Sequence, residues 1–217
     1  MKIFLLLVAL SVSSIDAFTI NCSFINFVWP SIGVQYTCMV HQSLSVRNPN
    51  AVTTSVRGVH LPGRSNADVR MVNFHGVDDL VVVPRGMSNF LPNIQAIRIY
   101  DSDVRNLVGN ELNEYNNLRW FSIYDSYVNT IPSNFFSNNP NMIYVAFDYN
   151  YVQNVGTGLF DPVRNVRSMS YMGFLSNRCI NMSGSNGNQI DRVLDRLNSH
   201  CSGSSGTSPA TTTTTRG

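Results

Sequence analysis

A pattern that returns at an even spacing through the middle of the chain, from Ile94 to Leu118 to Met142, leaves few architectures open. Ile94, Ile97 and Ile99 are followed by Val104, Leu118, Phe121 and Ile123 by Val128, and Met142, Val145 and Phe147 by Val152. Apolar residues thus hold offsets 1, 4, 6 and 11 of each unit and recur further on, at Leu107, Ile131 and Val155 and at Leu112, Phe136 and Phe160. A unit this short cannot bury its apolar side alone, so neighbouring units must stack into a row. An earlier unit starts at Val69, with Val72 and Phe74, and is slightly longer than the others before Ile94 begins the next. A degenerate fifth is expected from Val166, with Met169 and Tyr171 turned inward.

These columns resemble the leucine-rich repeat of extracellular animal proteins, including those of insects, with Ile, Val, Phe and Met in place of most leucines. The resemblance implies an α/β-type repeat solenoid: a short curved horseshoe with a parallel concave sheet, an N-terminal β-hairpin cap and a C-terminal helical cap. The family's asparagine at offset 9 stands only at Asn150, the other units offering Val77, Ser102, Ser126 and, in the expected register, Phe174. Pro84, Pro132, Pro140 and Pro162, with Gly109, Gly156 and Gly158, predict turns and short helical pieces between the strands.

Residues 1–17 read as a secretory leader: Lys2, an apolar run over 3–10, and Ala17 before cleavage, with Ser14 as a second cleavage position. The expected organisation continues with an N-terminal disulfide cap and entry layer over 18–68, about five coils over 69–178, a C-terminal disulfide cap over 179–201 and a disordered Ser/Thr-rich tail over 202–217. Phe18, Ile20, Cys22 and Phe24 alternate, and the pattern resumes with Val34, Tyr36, Cys38 and Val40, as in a hairpin. Ile190, Val193, Leu194 and Leu197 predict a short helix capped by Asn188.

The four cysteines flank the repeats as in the caps of the family. Coils spaced by about 4.8 Å put the two ends on the order of 20 Å apart, too far for a bridge whose Cα atoms must lie within about 7 Å. Cys22 is therefore expected to pair with Cys38, and Cys179 with Cys201. Neither pair has the close spacing of zinc ligands, so no metal site and no cofactor are expected. Asn181 and Asn21 head glycosylation sequons. Together the leader and the disulfides predict a secreted, extracellular protein without membrane insertion. The net charge of +2 lacks the concentrated basic stripe of a nucleic-acid binder.

If offsets 1, 4 and 6 face the core, offsets 3, 5, 7 and 8 face outward from the concave sheet. The partner-binding candidates are then Arg98, Tyr100, Asp101, Trp120, Tyr124, Asp125, Tyr144, Asp148 and Tyr149. Ser122, Ser168, Ser170 and Met172 share that expected face. Tyr and Trp combine apolar area with a polar tip, the chemistry of binding anchors. The expected function is recognition of a protein or glycan through the concave face. The alternatives are a structural component of a secreted matrix or mucus and, more remotely, an enzyme using Asp101, Asp125 and Asp148. No nucleophile and base pair is recognisable, and the chain is read as a non-enzyme.

Overall fold

The computed structural model describes residues 16–29, 32–41 and 43–202. The expected leader up to residue 15 and the tail after Ser202 lie outside the described residues. Twelve strands and one α-helix follow in order: β1 (Ala17–Asn21), β2 (Ser23–Trp29), β3 (Gly33–Val40), β4 (Val52–Arg57), β5 (Met71–His75), β6 (Ala96–Tyr100), β7 (Trp120–Tyr124), β8 (Thr130–Ile131), β9 (Tyr144–Ala146), β10 (Asn154–Val155), β11 (Tyr171–Phe174), β12 (Met182–Gly184) and α1 (Gly187–Arg196).

The principal sheet has eight strands in the order β12-β11-β9-β7-β6-β5-β3-β2. Neighbours from β3 to β11 pair parallel, whereas β2 pairs antiparallel with β3 and β12 antiparallel with β11. The expected α/β-type horseshoe with a parallel concave sheet and a helical cap is therefore corrected to a mostly-strand fold on a mixed sheet. Both end strands are joined to their neighbours by short connections, and a parallel partner needs a crossover of a dozen or more residues. Between the central strands run turns, 3-10 segments such as Met87–Asn89 and the two-residue pair β8–β10. Prolines deny these stretches a regular helix. Among the described residues α1 is the only α-helix. Its N-cap is Asn186, whose side chain accepts from the Gln189 amide, in place of the expected cap at Asn188.

The expected N-terminal strand is split in two. β1 pairs parallel with β4, and only from Ser23 does the chain join β3. Cys22 lies at the break, with its amide bonded to the Arg57 carbonyl and its sulfur bonded to Cys38. Cys179 is bonded to Cys201.

Stacking is in register. Val72, Ile97, Phe121, Val145 and Met172 align across five strands and Phe74, Ile99 and Ile123 across three, and all of these, with Phe147, are fully buried in one apolar core. The fifth unit corrects the expected spacing. Tyr171 aligns with Tyr144, a longer step than the one that separates Tyr144 from Trp120. Met169, Met172 and Phe174 therefore face the core, and Val166 belongs to a 3-10 turn. Ser168, Ser170 and Met172 consequently do not continue the outward face, and Tyr171 and Gly173 do.

The same shift restores an asparagine at the bend. Asn177, not Phe174, donates to the carbonyls of Phe147 (2.7 Å) and Leu175 (3.1 Å) and accepts from the Val152 amide (2.9 Å). Asn150 repeats this one unit earlier, donating to Ile123 and Asp148 and accepting from Val128. Ser126 donates to a single carbonyl, that of Tyr124, and Ser102 donates to that of Tyr100 and accepts from the Val77 amide (3.3 Å).

Candidate functional site

Each central strand is followed within three residues by one with left-handed backbone: Gly76 (φ 61°), Asp101 (52°), Asp125 (49°), Tyr149 (56°) and Ser176 (53°). This turn keeps the amide in the ladder while sending the next side chain inward. The amides of Gly76, Asp101, Asp125 and Tyr149 still bond the carbonyls of Tyr100, Tyr124, Asp148 and Leu175 on the adjacent strand. Asp tolerates the conformation, but a tyrosine there is a genuine outlier. The turn throws Asp101, Asp125 and Tyr149 onto the rim at the strand ends, where all three are exposed.

Two positions further on, after the inward Ser102, Ser126 and Asn150, a second row returns to the surface: Asp103, Tyr127 and Tyr151, with Asp78 one unit earlier. The two rows enclose a groove of about 460 Å³ that crosses the strand ends. Four carboxylates (Asp78, Asp101, Asp103, Asp125) line it with three tyrosines that are 47 % (Tyr127), 56 % (Tyr149) and 43 % (Tyr151) exposed. The rings of Tyr127 and Tyr151 stack at 5.7 Å and 3°. Arg105 closes the stack over Tyr127 and Arg178 over Tyr151, at 4.9 and 5.1 Å. Aromatic rings are thus held open to solvent beside clustered acid.

The concave face proper is different, because the β2–β3 hairpin folds over it. Trp29 meets Trp120 edge-on at 4.9 Å, and Met71, Ala96 and Trp120 form a second small apolar cluster beneath Trp29 and Ile32. Trp120, expected as an exposed anchor, is fully buried, and Ser122 beside it is equally buried. The far end of the hairpin thus reaches past the first unit to the third. Tyr144 stacks between Trp120 (4.6 Å) and Tyr171 (4.9 Å), and its hydroxyl meets that of Tyr124 at 3.1 Å. Arg98, Tyr100, Tyr124 and Tyr144 remain half-buried.

Asp148 is buried as well. Its carboxylate accepts from the Leu175 amide (2.7 Å) and from the Tyr171 hydroxyl (3.0 Å). Loss of hydration pushes its pKa above the ordinary value, against these hydrogen bonds, and the same loss raises the hydroxyls of Tyr124, Tyr144 and Tyr171. Asp148 is therefore a strut between units, remote in role from the exposed Asp101 and Asp125. Gly173 makes room for it: a Cβ there would stand 2.7 Å from Asp148 Oδ1 and 2.3 Å from the Tyr171 ring.

The nine expected binding residues thus divide. Asp101, Asp125 and Tyr149 come together in the groove; Arg98, Tyr100, Tyr124 and Tyr144 line the roofed sheet; Trp120 and Asp148 are buried. Missed were Tyr127, Tyr151, Asp78 and Asp103, although Tyr127 and Tyr151, one repeat apart and each just before an inward valine, were a legible sign of an outward aromatic row. Asn181 and Asn21 are both exposed, and Asn181 Oδ1 accepts from the Ser176 amide. Among the described residues no group of three or more His, Cys, Asp or Glu could hold a metal ion, and no helix is long and apolar enough to cross a membrane.

No family model matches this chain, and no curated protein matches it. Among solved structures it is similar to a chain in the Toll–Spatzle complex, described as a molecular hub in Drosophila development and innate immunity. That likeness has 15 % identity and a TM-score of 0.41 over 55 % of this chain and 18 % of the other. This chain spans under a fifth of that neighbour's length, and the overlap carries no argument about fold or partner.

Proposed function

We propose that this protein is a secreted recognition protein, without catalytic activity, that binds a protein partner along the groove at the strand ends. The observation that carries the reading is the exposure of Tyr127, Tyr149 and Tyr151 beside Asp78, Asp101, Asp103 and Asp125 in one groove. Exposed aromatics in a row are anchors in want of a contact surface. The left-handed backbone of Tyr149 costs about 1 to 3 kcal/mol, and such strain concentrates at functional sites.

Asp78, Asp101 and Asp125, apart from Asp103, which Arg105 pairs at 3.7 Å, favour a partner with Lys or Arg, whose cationic heads pair with these carboxylates. Units spaced by about 4.8 Å give the groove a run of roughly 14 Å, which suits about four residues of extended chain. Two disulfides, one bonded within each end of the chain, suit the oxidising compartments of secretion.

Affinity capture from the extracellular fluid of the secreting tissue tests the reading. The triple variant Tyr127→Ala, Tyr149→Ala and Tyr151→Ala is expected to lose the captured protein, while Val59→Ala, on a 90 % exposed residue outside the groove, retains it. Undiminished capture by the triple variant would remove the groove from the account. Release by a soluble glycan instead of by a basic peptide would replace the protein partner with a carbohydrate.

A further inference from the structure

Arg98 lies at the centre of the roofed sheet, and no ion pair among the described residues involves it. Its guanidinium lies over the ring of Trp29 at 4.8 Å and over that of Tyr100 at 4.6 Å. Burial lowers its pKa, and the groups that act against that fall are only the phenols of Tyr124, Tyr100 and Tyr144. A buried or half-buried charge ordinarily has a counter-charge. Asp148, buried on the same side of the sheet, is bonded instead to the Leu175 amide and the Tyr171 hydroxyl.

The surrounding polar atoms repeat the deficit. Strand register sets Arg98 between Asn73 and Ser122, with Trp120 one pair earlier on the same face. Arg98 Nε, Ser122 Oγ and Trp120 Nε1 are buried and have no hydrogen-bond partner. All three can donate. Ser122 Oγ can also accept, and the unpartnered atom on this face that can only accept is Asn73 Oδ1, whose amide nitrogen is turned to the Met39 sulfur at 3.3 Å. Native proteins seldom leave such groups unmatched, and an unpaired cation with two further donors beside it, Ser122 Oγ and Trp120 Nε1, forms a receptor for a negatively charged acceptor.

We propose that the Arg98 patch is a carboxylate-binding site, roofed by Trp29. The guanidinium lies over two rings, and its planar fork can engage a carboxylate through two N–H groups. Ser122 and Trp120 supply the further donors. The site differs from the acidic groove in charge and in place, so each stands or falls without the other.

The two tryptophans of the chain are Trp29 and Trp120, so intrinsic tryptophan fluorescence reports on this patch alone. The probe is acetate, titrated at constant ionic strength against chloride, with sulfate in a parallel arm. A second titration uses an acetylated, amidated peptide whose single charge is one glutamate, to separate a free small acid from an acidic side chain. Wild type is expected to give a saturable change with acetate or with the peptide, and Arg98→Gln to weaken it by about tenfold or more. Arg98→Lys keeps the charge without the planar fork and should fall between. Far-ultraviolet circular dichroism checks the fold of each variant. A wild-type signal that does not saturate by roughly 100 mM of either carboxylate overturns the proposal whatever the variants do. Equal affinity in folded Arg98→Gln overturns it too, and tighter binding of sulfate than of acetate overturns the choice of carboxylate.

Discussion

Asp148 is the residue whose environment makes the sharpest energetic demand. Its pKa is raised by burial, so the native state holds the proton more tightly than the unfolded chain does. The contribution to stability is then best at low pH and falls as pH rises from about 3.9, the ordinary unfolded value, through the raised folded value. Asp148→Asn removes this dependence, and its stability relative to wild type should rise with pH across that window. Urea titrations at a series of pH values measure it, and a relative stability that falls with pH would contradict the assigned burial. Gly173 complements this residue by space alone, since its backbone is not left-handed. Gly173→Ala is expected to break the Tyr171 to Asp148 contact and lower the melting temperature, whereas Ala146→Gly, its neighbour in register on β9, should cost less.

At the scale of elements, the bend after each strand is held with unequal strength. Asn150 satisfies two carbonyls and one amide, and Ser126 one carbonyl. Asn150→Ala should therefore cost roughly 2 to 4 kcal/mol and Ser126→Ala about 1 kcal/mol in denaturant unfolding. Similar costs would mean that the asparagine bonds do not carry the bend. The units from Val69 to Val152 were legible in the sequence because apolar side chains at offsets 4 and 6 all enter one core. The fifth was not, because the even spacing of the earlier units leads to Val166, Met169 and Tyr171, whereas the true set, Met169, Met172 and Phe174, follows a longer unit. Apolar character alone cannot choose between registers when both sets are apolar. Antiparallel pairing at the N-terminal end was legible as the expected hairpin, whereas that of β12 was hidden: periodicity says that strands recur, and the direction of this end strand depends on a connection outside the repeat.

For the whole molecule, the hairpin decides which faces a partner can reach. Nothing in the spacing of Ser23 to Val40 announces that Trp29 will lie across three units onto Trp120, a contact distant in sequence and fixed only by packing. Trp29→Ala should leave the fold intact and expose Trp120, shifting its emission to longer wavelength; an unshifted emission would mean that Trp29 does not shield it. With that roof in place, recognition is assigned to the strand-end groove. Radical footprinting of the tyrosines in the complex with the captured partner tests this most directly, because exposed tyrosines mark the groove and half-buried ones mark the sheet. The account predicts that Tyr127, Tyr149 and Tyr151 lose reactivity on binding while Tyr100, Tyr124 and Tyr144 are unchanged. Protection of Tyr100, Tyr124 and Tyr144, with the groove tyrosines as reactive as before, would contradict it.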